Sequence, residues 1–212
     1  MEFELAAATP AKDRRVRRSR AALIQAAIAL VTERGTAAIP ISDIAAAADV
    51  SRQLVYQHFG DRDALLLEAA LDLARTELLP RFAEVASPEG PDRARALTRH
   101  FAEHRVFYRA MLNSSSAYAL TKALSGLIIP VNRRAVEAHF PDGHDSQQLD
   151  DLAAFVTGGG AAVINAWVTD AEDPLDPDDL ADRLIGLLGI ITAAVRPTTA
   201  SDVSEQKTET DR

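Results

Sequence analysis

The chain has 212 residues, a formal net charge of −8 and no cysteine. This length is enough to bury a hydrophobic core, and the absence of cysteine excludes disulfides and thiolate metal sites. We find no run of about 18 apolar residues and no signal peptide, so we expect a soluble cytoplasmic protein with no membrane partner.

Positive charge is concentrated near the N-terminus. Residues 11–35 hold seven lysines or arginines against two acids, whereas residues 170–182 hold seven acids and no base. A local cluster of cations in an acidic chain favours an anionic partner such as nucleic acid. The alternative is an ordinary solvated helix face.

Hydrophobic residues at helical spacing predict an all-α protein of about nine helices. In chain order the predicted helices cover about residues 12–34, 42–48, 52–59, 61–80, 92–113, 118–127, 131–140, 146–169 and 177–195. Turn-forming residues predict loops at 87–91 and 141–145. Residues 1–11 and 197–212 lack apolar periodicity and are predicted to be disordered tails.

The segment 41–59 predicts two short helices joined by a tight turn at Asp49-Val50. Ser51 is placed to cap the second of these helices. That helix carries several polar side chains that can bind phosphates and base edges, whereas Leu54, Val55 and Phe59 are predicted to be buried. This arrangement is typical of a helix-turn-helix, whose second helix enters the DNA major groove.

Residues 14–67 resemble the DNA-binding domain of the TetR family of bacterial transcriptional regulators. The resemblance rests on the arginine-rich start with Ala26-Ala27, the turn from 43–45 to 50–51, and the segment 54–65. It implies a three-helix DNA-binding domain at residues 12–60, followed by a helical domain at 61–196 for ligand binding and dimerisation.

Two positions depart from the family pattern. Asp49 stands where members usually have glycine, and Asp tolerates the left-handed backbone of such a turn better than most residues. Pro40 stands where members often have a phosphate-binding threonine. Proline cannot make that contact, and Ser42 can take it over.

The first residues of the recognition helix are predicted to read bases. Arg52 can pair bidentately with guanine and Gln53 with adenine. The resemblance implies that Tyr56 and Arg62 contact the DNA backbone, while His58 is open between a phosphate contact and packing beside a helix end. The predicted DNA-binding residues are Arg14, Arg15, Arg17, Arg18, Ser42, Ser51, Arg52, Gln53, Tyr56, Gln57, His58 and Arg62.

One short helix reads too few bases to select a genomic site. We therefore predict a homodimer that binds a palindromic double-stranded operator. Apolar side chains of the last two predicted helices are the candidates for the interface, although some must belong to the core. They are Leu152, Phe155, Val156, Val163, Trp167, Leu184, Leu187, Leu188 and Ile191.

The resemblance also implies a pocket for a small, mostly apolar effector. Leu97, Phe101, His104, Tyr108 and Met111 share one face of the predicted fifth helix, which is equally consistent with core packing. Effector binding would move the predicted fourth helix and separate the recognition helices. The candidate ligand-binding residues are Phe82, Phe101, His104, Phe107, Tyr108, Met111, Tyr118 and Asn165.

We predict a ligand-responsive transcriptional regulator, most simply a repressor, which is not an enzyme and uses no cofactor and no resident metal. One alternative is metal binding or metal-dependent hydrolysis through His100, Glu103 and His104, which fit the H-x-x-E-H spacing of a zinc peptidase. A second alternative is a helical interaction module that does not bind DNA.

Overall fold

The computed structural model describes residues 10–84, 91–140 and 145–195. These ranges are helical and contain no strand, which confirms the all-α class. The elements are α1 Pro10–Arg34, α2 Ile41–Ala47, α3 Arg52–Phe59, α4 Arg62–Leu73, a π-helical turn Ala74–Leu78, α5 Leu79–Glu84, α6 Pro91–Glu103, α7 Arg105–Leu112, α8 Ala117–His139, α9 Ser146–Asp170 and α10 Pro177–Val195. Because α4, the π-turn and α5 run on without a break, the described part contains nine continuous or nearly continuous helical segments.

Two predicted boundaries are wrong. Residues 117–139 form the single helix α8, which contains Pro130, although separate helices were predicted at 118–127 and 131–140. Proline removes one backbone hydrogen bond, but the turns on either side keep theirs. Conversely, the helix predicted at 92–113 is divided at His104, whose backbone leaves the helical region (φ −106°, ψ 23°).

The expected loops and tails lie almost entirely outside the described residues. Pro91 and Asp145 are described; the former begins α6 and the latter caps α9. Pro10 and Ala11, which were assigned to the N-terminal tail, begin α1.

Local side-chain chemistry fixes where several helices begin and end. The side chains of Ser51, Asp61 and Asp145 accept hydrogen bonds from backbone N–H groups in the first turns of α3, α4 and α9. Such caps satisfy donors that have no partner within the helix. Gly35 and Gly60 follow α1 and α3 with φ of 62° and 84°, which glycine adopts without a steric penalty.

One hydrophobic core extends from α1 to α10. Leu23 of α1, Leu65 of α4, Phe107 of α7 and Leu180 of α10 are fully buried members of it. Helix α1 packs on both α4 and α7, while α8 packs on α9 and α10 on α6. The beginning of α4 is therefore fixed against α1, next to the turn that leads from α3.

Helix α9 corrects the expectation that no segment has the length and composition to cross a membrane. It is the one helix of the described ranges that meets both criteria, with 28% of its most apolar window buried. A core helix of a soluble protein meets the same criteria, so this is weak evidence for a membrane.

Candidate nucleic-acid interface

Helix α3 presents a polar face to solvent and an apolar face to the core. Arg52, Gln53, Tyr56 and Gln57 are exposed, whereas Val55 is fully buried. The four exposed side chains have no hydrogen-bond partner among the described residues. A helix with this division can enter a DNA groove without giving up contacts within its own chain.

The turn before α3 has the backbone geometry expected of a helix-turn-helix. Asp49 has a φ of 52°, the one positive value at a non-glycine residue among those described. Val50 N–H donates to the Ala45 carbonyl at 3.0 Å, which closes the turn. Ile44 of α2 is fully buried, so α2 is packed on the hydrophobic core and holds the turn in place.

Arg20 of α1 holds the end of the recognition helix. Its guanidinium donates to the His58 carbonyl at 3.1 Å and lies 4.5 Å from the centre of the Phe59 ring. It also forms an ion pair with Glu68 of α4 at 3.2 Å. This one side chain therefore links α1, α3 and α4, which fixes the angle of the recognition helix.

Several other predicted DNA-binding residues have internal partners. His58 Nε2 is hydrogen-bonded to Ser19 Oγ at 3.0 Å and is half-buried, which favours the packing interpretation for this side chain. Ser51 is the cap of α3 and is exposed. Ser42 Oγ donates to Asp43 at 3.2 Å, and Arg62 Nε donates to Asp63 at 2.9 Å. All four side chains therefore make hydrogen bonds within the chain that stabilise the candidate interface.

The four arginines predicted at the start of α1 are all exposed. They are Arg14, Arg15, Arg17 and Arg18. Ser19 and Arg20 contact the end of α3, so these cations lie within about one and a half helical turns of the recognition helix. The N-terminal part of the molecule thus combines a reading helix with a cationic arm.

The aromatic residues predicted to line a ligand pocket form a packed cluster. Phe107, Tyr108 and Met111 are fully buried and Phe101 nearly so. The Tyr108 hydroxyl is hydrogen-bonded to His100 Nε2 at 2.8 Å. Within this apolar cluster, these two residues supply the polar groups of the kind that orient a guest in a ligand site.

Burial controls the protonation of both polar groups in the aromatic cluster. Desolvation, reinforced by the nearby His104 and Arg81, lowers the pKa of His100 to about 3. Burial and the Glu77 carboxylate raise the pKa of Tyr108 above its ordinary value. Both side chains are therefore neutral at pH 7.

The remaining candidate ligand residues are dispersed. Tyr118 is 79% exposed, because it lies on the face of α8 opposite the buried Leu120. Phe82 is half-buried beneath a guanidinium group. Asn165 Nδ2 donates to Thr121 Oγ1 at 3.1 Å and links α9 to α8.

An open cleft of about 800 Å³ lies apart from the aromatic cluster. The connector after α1, the beginning of α4, the end of α7 and residues 173–175 surround it. Arg62 and Arg109 contribute charge to its lining, and Ser114 and Ser115 contribute hydroxyls. No sequence signal indicated this cleft, because its walls come from four segments far apart in the chain.

In the structure, Glu103 of the H-x-x-E-H motif does not lie beside the two histidines, and a different glutamate does. His100 and His104 lie together with ring centres 4.9 Å apart, but Glu103 turns away to an ion pair with Arg81 at 2.7 Å. Glu77, from the π-turn, takes the place next to the histidines. Glu77 lies 27 positions before His104, and sequence spacing alone did not identify it.

The predicted dimer-interface residues divide into exposed and buried groups. Trp167 and Leu184 are each only 8% exposed and belong to the chain's own core. Phe155, Leu187 and Leu188 are exposed, and the remaining candidates Leu152, Val156, Val163 and Ile191 are partly buried. Ile190, 68% exposed, was missed by the sequence analysis.

Comparison with known proteins gives two family matches. A model described as "Bacterial regulatory proteins, tetR family" matches residues 23–69, and one described as "Transcriptional regulator C-terminal region" matches residues 92–189. An HTH-type transcriptional repressor of Mycobacterium tuberculosis (strain ATCC 25618 / H37Rv) is 43% identical over 93 residues, which is 44% of this chain and 46% of the relative. The match thus spans about half the length of that relative.

Solved structures show the same fold at low sequence identity. The TetR family repressor AlkX from Dietzia sp. strain DQ12-45-1b has a TM-score of 0.54 and 23% identity, over 83% of this chain and 96% of that one. A tetR-family regulator from Streptomyces coelicolor has a TM-score of 0.56 and 21% identity, over 85% and 84%. Together with the helix-turn-helix geometry and the two family matches, they show that the chain belongs to the TetR family of bacterial transcriptional regulators.

Proposed function

We propose that the protein binds a palindromic DNA operator as a homodimer, represses transcription there, and is released by a small effector. The carrying observation is the face of α3 on which Arg52, Gln53, Tyr56 and Gln57 are exposed and without partners among the described residues. Family and fold are those of transcriptional regulators rather than enzymes.

In the proposed complex, α3 contacts bases, whereas α1 and the start of α4 contact phosphates. Arg52 and Gln53, in the first turn of α3, read base edges in the major groove. The arginines of α1 and the Arg62 guanidinium hold phosphates, and this fixes the register of the helix on the duplex. The division of domains that follows from this assignment is 12–60 for DNA and 61–196 for ligand and partner.

The proposal of repression rather than activation follows the name of a relative. The Mycobacterium tuberculosis protein that is 43% identical over 93 residues is named a transcriptional repressor. Repression also requires nothing beyond occupation of a promoter, for which the helix-turn-helix suffices. Action on chromosomal DNA places the protein in the cytoplasm.

Exposed apolar residues of the last two helices support the dimer. We define the candidate dimer surface as Phe155, Gly158 and Gly159 of α9 with Leu187 and Ile190 of α10. Its large side chains are 47–68% exposed, and a Cβ added to either glycine would meet nothing. An exposed apolar surface with small residues in it lets a second copy approach closely.

The effector is proposed to act through α4 and its continuation. This segment begins at Arg62, separated from the end of the recognition helix by two residues, and reaches the aromatic cluster at the π-turn. A mostly apolar guest that inserts beside Phe101, Phe107, Tyr108 and Met111 must displace one of the helices that now fill this space. Displacing α4 changes the spacing of the two recognition helices, and DNA affinity falls.

Operator binding is tested by selection from a random duplex library, followed by fluorescence anisotropy on the selected sequence. Replacing Arg52 with alanine should weaken binding by about 1–3 kcal/mol for each half-site, a factor of roughly 5–150 each, because the dimer loses one bidentate base contact in each half-site. Arg183→Ala is the matched control, since Arg183 is an exposed arginine of α10. Failure to select any duplex, or equal losses for the two variants, contradicts the proposal.

A further inference from the structure

Three side chains meet beside the aromatic cluster, and two of them lie at irregular positions of the backbone. Glu77 lies on the π-turn between α4 and α5, and His104 lies at the break between α6 and α7. His100 lies one helical turn before that break. A π-turn inserted into an α-helix is often found at a functional site, because it redirects the side chains it carries.

Potential metal-ligand atoms of the three side chains lie close together. Within each residue one ligand-type atom can be chosen such that all three lie within 4.8 Å of one another. His104 Nε2 donates to Glu77 Oε2 at 2.6 Å, so a proton now occupies the space between two potential ligands. Zn–N and Zn–O bonds of about 2.1 Å place tetrahedral ligands about 3.4 Å apart, so the longest separation needs to shorten by at most about 1.4 Å, and the distance between His104 Nε2 and Glu77 Oε2 needs to lengthen by about 0.8 Å.

His100 supplies an independent observation. It is fully buried, and its Nδ1 has no hydrogen-bond partner in the described residues, while its Nε2 is bonded to Tyr108. Buried polar atoms without a partner are rare in native proteins and call for a bound water, ion or ligand. A metal-binding histidine usually binds the ion through one ring nitrogen while a hydrogen bond at the other ring nitrogen fixes the orientation of the ring.

We propose that Glu77, His100 and His104 bind one divalent first-row transition-metal ion of the zinc class. Two imidazoles and one carboxylate are donors that Zn²⁺ accepts, whereas Ca²⁺ and Mg²⁺ prefer sites built from oxygen alone.

The surroundings of the site allow an ion to enter and leave. The side chains of Glu77 and His104 are 38% and 21% exposed, so the ion can arrive from solvent on their side. Three protein ligands leave one position of a tetrahedron open, as in sites where zinc exchanges ligands. An ion bound there would join the π-turn to α6 and α7.

The test is isothermal titration of ZnCl₂ into the untagged full-length chain after chelator treatment, without DNA. One ion per chain is expected for the native protein. Glu77→Gln and His104→Gln should each weaken binding at least about tenfold, since even changes outside the direct ligands cost that much. Far-UV circular dichroism of both variants shows that they are folded.

Glu103→Gln is the matched control. Glu103 belongs to the H-x-x-E-H spacing but pairs with Arg81 instead of facing the histidines. This variant should bind Zn²⁺ as the native chain does. Absence of Zn²⁺ binding by the folded native chain, or equal losses in Glu103→Gln and Glu77→Gln, overturns the proposal; neither result bears on operator binding, which is measured separately.

Discussion

Asp49 occupies a backbone position in the turn before the recognition helix that most side chains avoid. Its φ of 52° lies in the left-handed region, where a residue with a Cβ costs about 1–2 kcal/mol. Aspartate reduces that cost because its short side chain tolerates the region. Asp49 therefore leaves part of this conformational cost in the folded state, and a residue without a Cβ would remove it.

Replacing Asp49 with glycine should stabilise the protein by up to about 1 kcal/mol. The left-handed penalty disappears, but glycine's larger unfolded-state entropy takes back about half of the gain. Urea unfolding measures the change in the free energy of unfolding, and the midpoint temperature of thermal unfolding should rise by about 2–4 °C. Asp49→Ala keeps the Cβ and should not stabilise; a gain as large as that of glycine would show that the backbone conformation is not the cause.

Residues with local signals were predicted, and residues with distant partners were not. Ser51 was predicted as a cap because a cap needs only the next three residues, and its hydroxyl accepts the expected hydrogen bond from Leu54 N–H. Glu77 was missed because its partner His104 lies 27 positions away and the π-turn shifts the helical register between them. His58 was left between two interpretations because its partner Ser19 belongs to another helix.

Helix α8 shows that a strong helix of 23 residues tolerates an internal proline. Pro130 lies on its exposed side and lacks the N–H that would complete the backbone ladder. An interior proline costs roughly 3 kcal/mol relative to alanine, and the sequence analysis ended one helix at residue 127 and began the next at 131. Packing along the length of α9 offsets this cost, and that packing is not visible in the sequence.

Replacing Pro130 with alanine should stabilise the protein by about 2 kcal/mol. The helix gains a hydrogen bond and loses a clash worth roughly 3 kcal/mol, and the more flexible unfolded chain returns about 1 kcal/mol. Equilibrium denaturation in urea measures the change. Pro177→Ala is the control, because Pro177 begins α10, where the N–H has no intrahelical partner. Equal effects at the two positions would contradict this explanation.

The distribution of charge and apolar surface divides the whole molecule into two functional ends. Cations are concentrated at the start of α1 near the recognition helix, while α10 begins with acids and continues into exposed apolar residues. The acidic end disfavours approach to a polyanion, so in the proposed complex DNA would meet the molecule at its N-terminal end. The apolar residues of the other end are then left for a protein partner.

Placing arginine at Ile190 should convert the proposed dimer into a folded monomer. Ile190 is 68% exposed within its own chain, so the substitution costs the monomer little, but it buries a charge in the candidate dimer surface. Sedimentation velocity should show one chain per particle, and affinity for a full palindrome should fall to that for a single half-site. Val106→Arg alters an apolar side chain of α7 that is 47% exposed and lies outside the candidate dimer surface, so it should leave the dimer intact. A monomeric native chain, or an Ile190→Arg variant that is still dimeric, would show that the exposed faces of α9 and α10 do not form the interface.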